Sequence, residues 1–150
     1  MKQTYFSMSE TETANIAEKL SEIALKGDVF ALYGTLGMGK SVFARAFIQK
    51  LTKAKEVPSP TFTLVQEYVS PKFNIYHFDL YRLKSEEEVF ELGFEEAVYA
   101  GVCLVEWPEK AGSWLPKDIF KIKISQAEKG RKIEIEAASP NKEQRLKAVL

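Results

Sequence analysis

The stretch DVFALYGTLGMGKSVFARAFIQKL, residues 28 to 51, limits what this chain can fold into more than any other. Gly34, Gly37 and Gly39, three of the chain's 8 glycines, stand within one short turn, and Lys40 and Ser41 follow directly. From Gly34 to Ser41 the residues fit the pattern G-x-x-x-x-G-K-[ST]. A short apolar run, DVFALY, precedes them and reads as a strand. After them Val42, Ala46 and Leu51, with Phe43 and Phe47, recur at helical intervals. Glycines at such a turn can simply supply positive φ and tight packing. The strand before and the helix after argue instead for a phosphate cradle. Small residues let backbone N–H groups turn inward, and the helix presents its positive end. Lys40 is placed to reach outer phosphates, and Ser41 to offer a hydroxyl to Mg2+. Side chains at Gly37 or Gly39 are expected to crowd that nest. The loop residues predicted to line it are Gly34, Gly37, Met38, Gly39, Lys40, Ser41 and Val42.

Other features bound the rest. At 150 residues, 45% hydrophobic, the chain can bury a core, and one domain spanning residues 1–150 is expected. Its 21 basic and 21 acidic residues cancel, so no global field draws it to nucleic acid or an anionic membrane. Cys103 is the only cysteine and sits in an apolar run, which points to a buried side chain and a reducing compartment. The opening MKQTYFSMSE has no apolar signal-peptide core, and no apolar run approaches the roughly 20 residues a bilayer span needs. A soluble, cytoplasmic protein is expected.

Helical and strand periods alternate along the chain. SETETANIAEKLSEIALKG pairs Ser9 with Glu12 at capping-box spacing and aligns Ile16, Leu20, Ile23 and Ala24, which predicts a helix ending before Gly27. TFTLVQEYV and NIYHFDLYRL read as a strand pair around a Ser-Pro turn. SEEEVFELGFEEAVYA reads as a helix capped by Ser85 and interrupted at Gly93. GVCLVEW is a strand covered on both faces, FKIKIS and RKIEIEA form an antiparallel hairpin with one wet face, and NKEQRLKAVL is a final helix. Charge is uneven: Lys84 to Glu109 is mostly acidic and Lys117 to the end mostly basic, either as solvated faces or as patches that orient a partner.

Hydrolysis of a bound nucleotide needs a carboxylate for the metal and a group to position water. Asp79 and Glu106 stand at predicted strand ends, where an unpaired charge costs several kcal/mol unless it meets solvent, a base or a cation. A structural alternative pairs Asp79 with Arg82 and Glu106 with a lysine. His77, the only histidine, shares a strand face with Asp79 and is expected to be hydrogen-bonded in the core, with orientation of a neighbour as the other reading. In VPSPTFTLVQEY two prolines flank Ser59. Thr61 then supplies a second hydroxyl, either of the kind that senses a γ-phosphate or metal in nucleotide switches or simply part of an ordinary rigid turn.

Taken together, GTLGMGKS, SPTFTLVQEY, YHFDLYRL and VCLVEWPE, in this order and spacing, resemble the TsaE (YjeE) family over nearly the whole chain. The resemblance implies an α/β, P-loop NTPase-like three-layer domain that binds ATP and Mg2+. It would work with the TsaD and TsaB proteins in tRNA threonylcarbamoyladenosine biosynthesis, meeting tRNA through that complex. It makes Lys40 the phosphate lysine, Ser41 the metal hydroxyl, and Asp79 the carboxylate of the second motif. Glu106 becomes the residue acting at the metal or the attacking water, followed by Trp107, and Thr13 a nucleotide-contacting threonine. Thr35 and Met38 replace a usual acidic residue and a usual alanine, which bears on the basal rate. The expected architecture is a mostly parallel central sheet with helices on both faces and a C-terminal antiparallel hairpin, the nucleotide lying at the carboxyl ends of the parallel strands. With no arginine expected in or beside the switch segment, hydrolysis by the isolated chain should be slow and partner-stimulated. A small-molecule kinase and a nucleotide-dependent binding module share this scaffold as alternatives.

Overall fold

Seven strands join into one sheet in the order β1-β7-β6-β2-β5-β4-β3, in a computed structural model that describes all 150 residues. The strands are β1 Lys2–Ser7, β2 Val29–Tyr33, β3 Val65–Val69, β4 Asn74–Asp79, β5 Gly101–Glu106, β6 Phe120–Gln126 and β7 Arg131–Ala137. The helices are α1 Glu10–Ser21, α2 Lys40–Leu51, α3 Glu86–Glu91, α4 Phe94–Ala100 and α5 Pro140–Lys147. A 3-10 segment covers Pro108–Trp114. The four inner strands β6, β2, β5 and β4 run parallel, while β3, β7 and β1 attach antiparallel at the two sides. This is the expected α/β architecture with its C-terminal hairpin.

Two apolar clusters lie on opposite sides of the sheet. Phe30 and Leu32 of β2 pack with Phe43 and Phe47 of α2 and with Leu20 of α1, whereas Val29 and Ala31 pack with Val89 of α3 and Phe94 and Ala97 of α4. Alternation along one central strand thus feeds both layers. Strand β5 is buried at every position, as its continuous apolar run predicts.

Several elements differ from the sequence reading. Strand β1 is unexpected: KQTYFS is too polar to declare itself, and pairing with β7 from Lys2↔Glu136 to Ser7↔Arg131 creates it. Helix α1 stops at Ser21 rather than running toward Gly27. The Ile23 carbonyl is taken by Arg145, and the Leu25 N–H by Asp28, groups that a longer helix would use internally. Ser9 caps α1 through the Glu12 N–H, as its spacing predicts. Ser85 occupies the cap position of α3 but accepts no bond there, and Glu88 reaches back to the Lys84 N–H instead. Residues 61–64 form a turn, so β3 begins later than its apolar pattern suggests, with Leu64 at φ 70°. The 3-10 segment after Trp107 also escaped the sequence pattern. No helix is long and apolar enough to cross a membrane.

Candidate functional site

Strands β2, β4 and β5 end side by side, and the segments leaving them build one cleft. Helix α2 opens at Gly39, whose φ of 106° and lack of a side-chain cap leave the first N–H groups of the helix turned outward. Gly37, at φ 82°, bends the chain before it. A side chain at either glycine would meet no protein atom within 4 Å, so the expected crowding is absent within the protein and the conformational requirement alone selects glycine. Gly34 differs, because a Cβ there would lie 2.6 Å from the Ile124 carbonyl oxygen of β6.

Lys40 is buried at the start of α2. Its ammonium donates to the Gly34 carbonyl and lies 3.8 Å from the centre of the Trp107 ring. Burial lowers its pKa below the ordinary lysine value, and the charges of Glu106, Asp79 and Glu109 oppose that shift. Trp107 holds the unusual φ of 57° and also packs on Tyr81, with ring centres 4.8 Å apart. The backbone turn after β5 therefore aims this indole at the lysine.

The two strand-end carboxylates are register partners, Asp79↔Glu106, on adjacent parallel strands, and both are buried. Neither pairs with Arg82 or a lysine within salt-bridge distance, which removes the structural alternative. Asp79 accepts from the Tyr81 N–H at 3.0 Å and from the Thr61 hydroxyl at 3.2 Å. Because Thr61 donates to Asp79, it accepts in turn from Ser59, 2.8 Å away. Glu106 is bonded to His77 Nε2 at 2.7 Å. The sequence placed His77 in a hydrogen-bonded core; it did not single out Glu106 as the partner.

These groups share a cleft of about 430 Å3, lined by Lys40, Ser41, Thr61, Asp79, Glu106 and Trp107 along with Gly37, Gly39 and Val42. A second hollow of about 240 Å3 adjoins it across the same loop and contains Thr13 and Met38. Thr13 lies there with its hydroxyl 2.7 Å from Ser7, which itself donates to the Ser9 carbonyl. Every nucleotide-, metal- or water-binding residue expected from the sequence thus falls on one of two joined hollows or, for Gly34, on the loop between β2 and α2.

Two arginines alter the sequence picture. Arg131, at the start of β7, lines the second hollow and donates to the Gly37 carbonyl at 3.3 Å. No local motif marks it; the strand order carries it there. Arg82 stacks over the Phe62 ring at 4.9 Å, so the switch segment does have an arginine beside it. The turn after β4 doubles back on that segment, but Arg82 does not line the cleft.

The model of the family "Threonylcarbamoyl adenosine biosynthesis protein TsaE" matches residues 7–133. The chain belongs to the TsaE family. It is 39% identical over 126 residues to the tRNA threonylcarbamoyladenosine biosynthesis protein TsaE of Rickettsia prowazekii (strain Madrid E), covering 83% of this chain and 88% of that protein. With the protein of the same name from Bacillus subtilis (strain 168), the identity is 39% over 129 residues, covering 85% of this chain and 80% of the relative. The crystal structure of YdiB from Bacillus subtilis superposes with a TM-score of 0.84 at 29% identity, over 99% of this chain and 94% of that one. The TsaE match spans both hollows, from Ser7 to beyond Arg131.

Proposed function

We propose that this chain is a single-domain, cytoplasmic, Mg2+-dependent ATPase of tRNA threonylcarbamoyladenosine biosynthesis, acting with TsaD and TsaB and meeting tRNA through their complex. The observation that carries this reading is a buried lysine at an uncapped helix N-terminus, facing two buried carboxylates that have no lysine or arginine partner. That donor set fits a nucleotide with its metal: the N–H groups and Lys40 suit phosphate, and Asp79, Glu106 and the Ser41 hydroxyl suit a hard cation.

The roles follow from position. Gly37, Met38, Gly39 and Val42 offer backbone to the phosphates, and Thr13 stands in the adjoining hollow for the rest of the nucleotide. Thr61, tied to Asp79, links the metal side of the cleft to the switch segment. Glu106 would orient the attacking water, and Trp107 covers Lys40. Mg2+, when bound, neutralises charge on the phosphate oxygens. No arginine lines the main cleft, which supports slow turnover by the chain alone and a charge supplied by a partner. Leu36, 66% exposed, lines the cleft.

The test is calorimetry with ATP and Mg2+, followed by steady-state hydrolysis with and without TsaD, TsaB and tRNA. Lys40→Ala should weaken ATP binding by about 10- to 100-fold, the worth of a hydrogen bond to a charged group, while the fold persists. Partners should raise the rate by ~10³. Wild-type affinity in Lys40→Ala overturns the phosphate assignment, and fast hydrolysis that ignores the partners overturns partner dependence.

A further inference from the structure

Glu106 ends β5 with its side chain only 5% exposed, and the single side chain bonded to it is His77. Parallel register sets Asp79 opposite Glu106 and His77 opposite Leu104. Register partners project from one face of a sheet, so His77, Asp79 and Glu106 all point to the side on which Leu104 packs with α2. His77 lies one strand repeat deeper than the carboxylates and is 2% exposed, so its ring is fixed by the core.

The imidazole proton can be placed from its partners. Nδ1 is buried with no partner at all. A buried N–H with no acceptor costs about 1–3 kcal/mol. The proton therefore belongs on Nε2, where Glu106 Oε2 accepts it at 2.7 Å. This bond engages Oε2 and leaves Oε1 as the oxygen without a protein partner, on a residue that lines the cleft.

Stability alone does not call for such a pair. Buried polar pairs are often matched or exceeded in stability by apolar side chains of similar volume, and the neighbouring strand already places Leu104 at the same level. We propose that His77 is a positioning residue, whose Nε2–H holds the Glu106 carboxylate in the one orientation that presents Oε1 to the water or metal of the cleft. The proposal rests on the ATPase reading of Glu106 given above.

The chain's single histidine makes the test direct. In protein labelled with 15N-histidine, one imidazole is observed, and the Nε2-protonated tautomer is expected, with its Nε2 resonance displaced by Glu106→Gln. The Nδ1-protonated tautomer, or a resonance indifferent to Glu106→Gln, overturns the proposal. Next, single-turnover hydrolysis and calorimetric ATP affinity are compared in His77→Leu, which removes the donor, and His77→Gln, which keeps one. His77→Leu should lose about 10- to 100-fold in turnover, the usual cost of removing an outer-shell partner, with ATP affinity unchanged, and His77→Gln should recover most of the loss. Wild-type turnover in His77→Leu, or equal losses in both variants, overturns the proposal. If the wild type hydrolyses nothing even with its partners, the ATPase reading falls, while the labelled spectrum, which needs no His77 variant, still decides whether Nε2–H holds Glu106.

Discussion

The two ends of the parallel sheet treat buried carboxylates in opposite ways. At the amino end of β2, Asp28 receives both Nη atoms of Arg145, the Oδ1 bond being 3.2 Å, together with the Leu25 N–H at 2.8 Å. Lys142 stands 3.9 Å away. Arg145 also donates to the Ile23 carbonyl, so α5 is stapled to the turn after α1. At the carboxyl end, Asp79 and Glu106 are just as buried yet meet only a hydroxyl, an amide and an imidazole. A carboxylate matched by arginine has its charge answered within the fold. A pair of carboxylates facing one lysine has charge left to give to a cation. On the reading proposed above, the same side-chain chemistry serves cohesion at one end and binding at the other, and the difference lies in what is supplied opposite it.

That contrast can be broken most forcefully at Asp28. Arg145→Met leaves a buried carboxylate without its forked partner and should cost about 3–5 kcal/mol, read as a lower denaturant midpoint, while ATP affinity holds. A variant that loses ATP binding with unchanged stability would erase the division between the ends. Glu106→Gln should do the reverse: turnover falls by about 10²-fold while ATP binding and the unfolding midpoint stay close to wild type. Unchanged turnover would make Glu106 as structural as Asp28.

Another buried ionisable group, Cys103, has no partner of either kind. Burial pushes the Cys103 thiol up from 9.0 to about 12. The native state therefore holds its proton where the unfolded state releases it. Stability linked to this group is present below pH 9 and is lost progressively between pH 9 and about 12. At pH 10 the loss is about 1 kcal/mol. It should be seen as a gap between wild type and Cys103→Ala that narrows from pH 8 to pH 10. Lys40 carries the opposite sign, since its lowered pKa favours the fold as pH rises, so the comparison must be made against the Cys103 variant rather than in wild type alone. A constant gap would mean that the thiol is not shielded as its burial implies.

What the sequence disclosed was local. Gly34 to Ser41 announced a glycine turn between a strand and a helix because the three signals abut within two dozen residues. GVCLVE announced a buried strand by being apolar throughout, and FKIKIS with RKIEIEA announced a hairpin by strict alternation. What stayed hidden depends on distant segments meeting. β1 has weak strand character of its own and exists because β7 offers it an edge. Arg131 reaches Gly37 across 94 positions of sequence, and Asp28 finds Arg145 across 117. The early end of α1 follows from that second meeting, since Arg145 and Asp28 claim its backbone groups. Asp79 and Glu106 were visible as strand-end charges, but that they would be direct register partners, with His77 beneath, needed the pairing of β4 with β5.

The contact between Gly34 and Ile124, together with the Arg131 bond to Gly37, also says something about time. The cradle is braced by a hairpin that the ribosome delivers long after the glycines themselves have emerged. A nascent chain that ends before this hairpin has the loop sequence but not the surface that sets the loop's shape, and its first strand still waits for β7. On the nucleotide-binding reading proposed above, affinity for nucleotide should accordingly arrive late in synthesis, with the last strands.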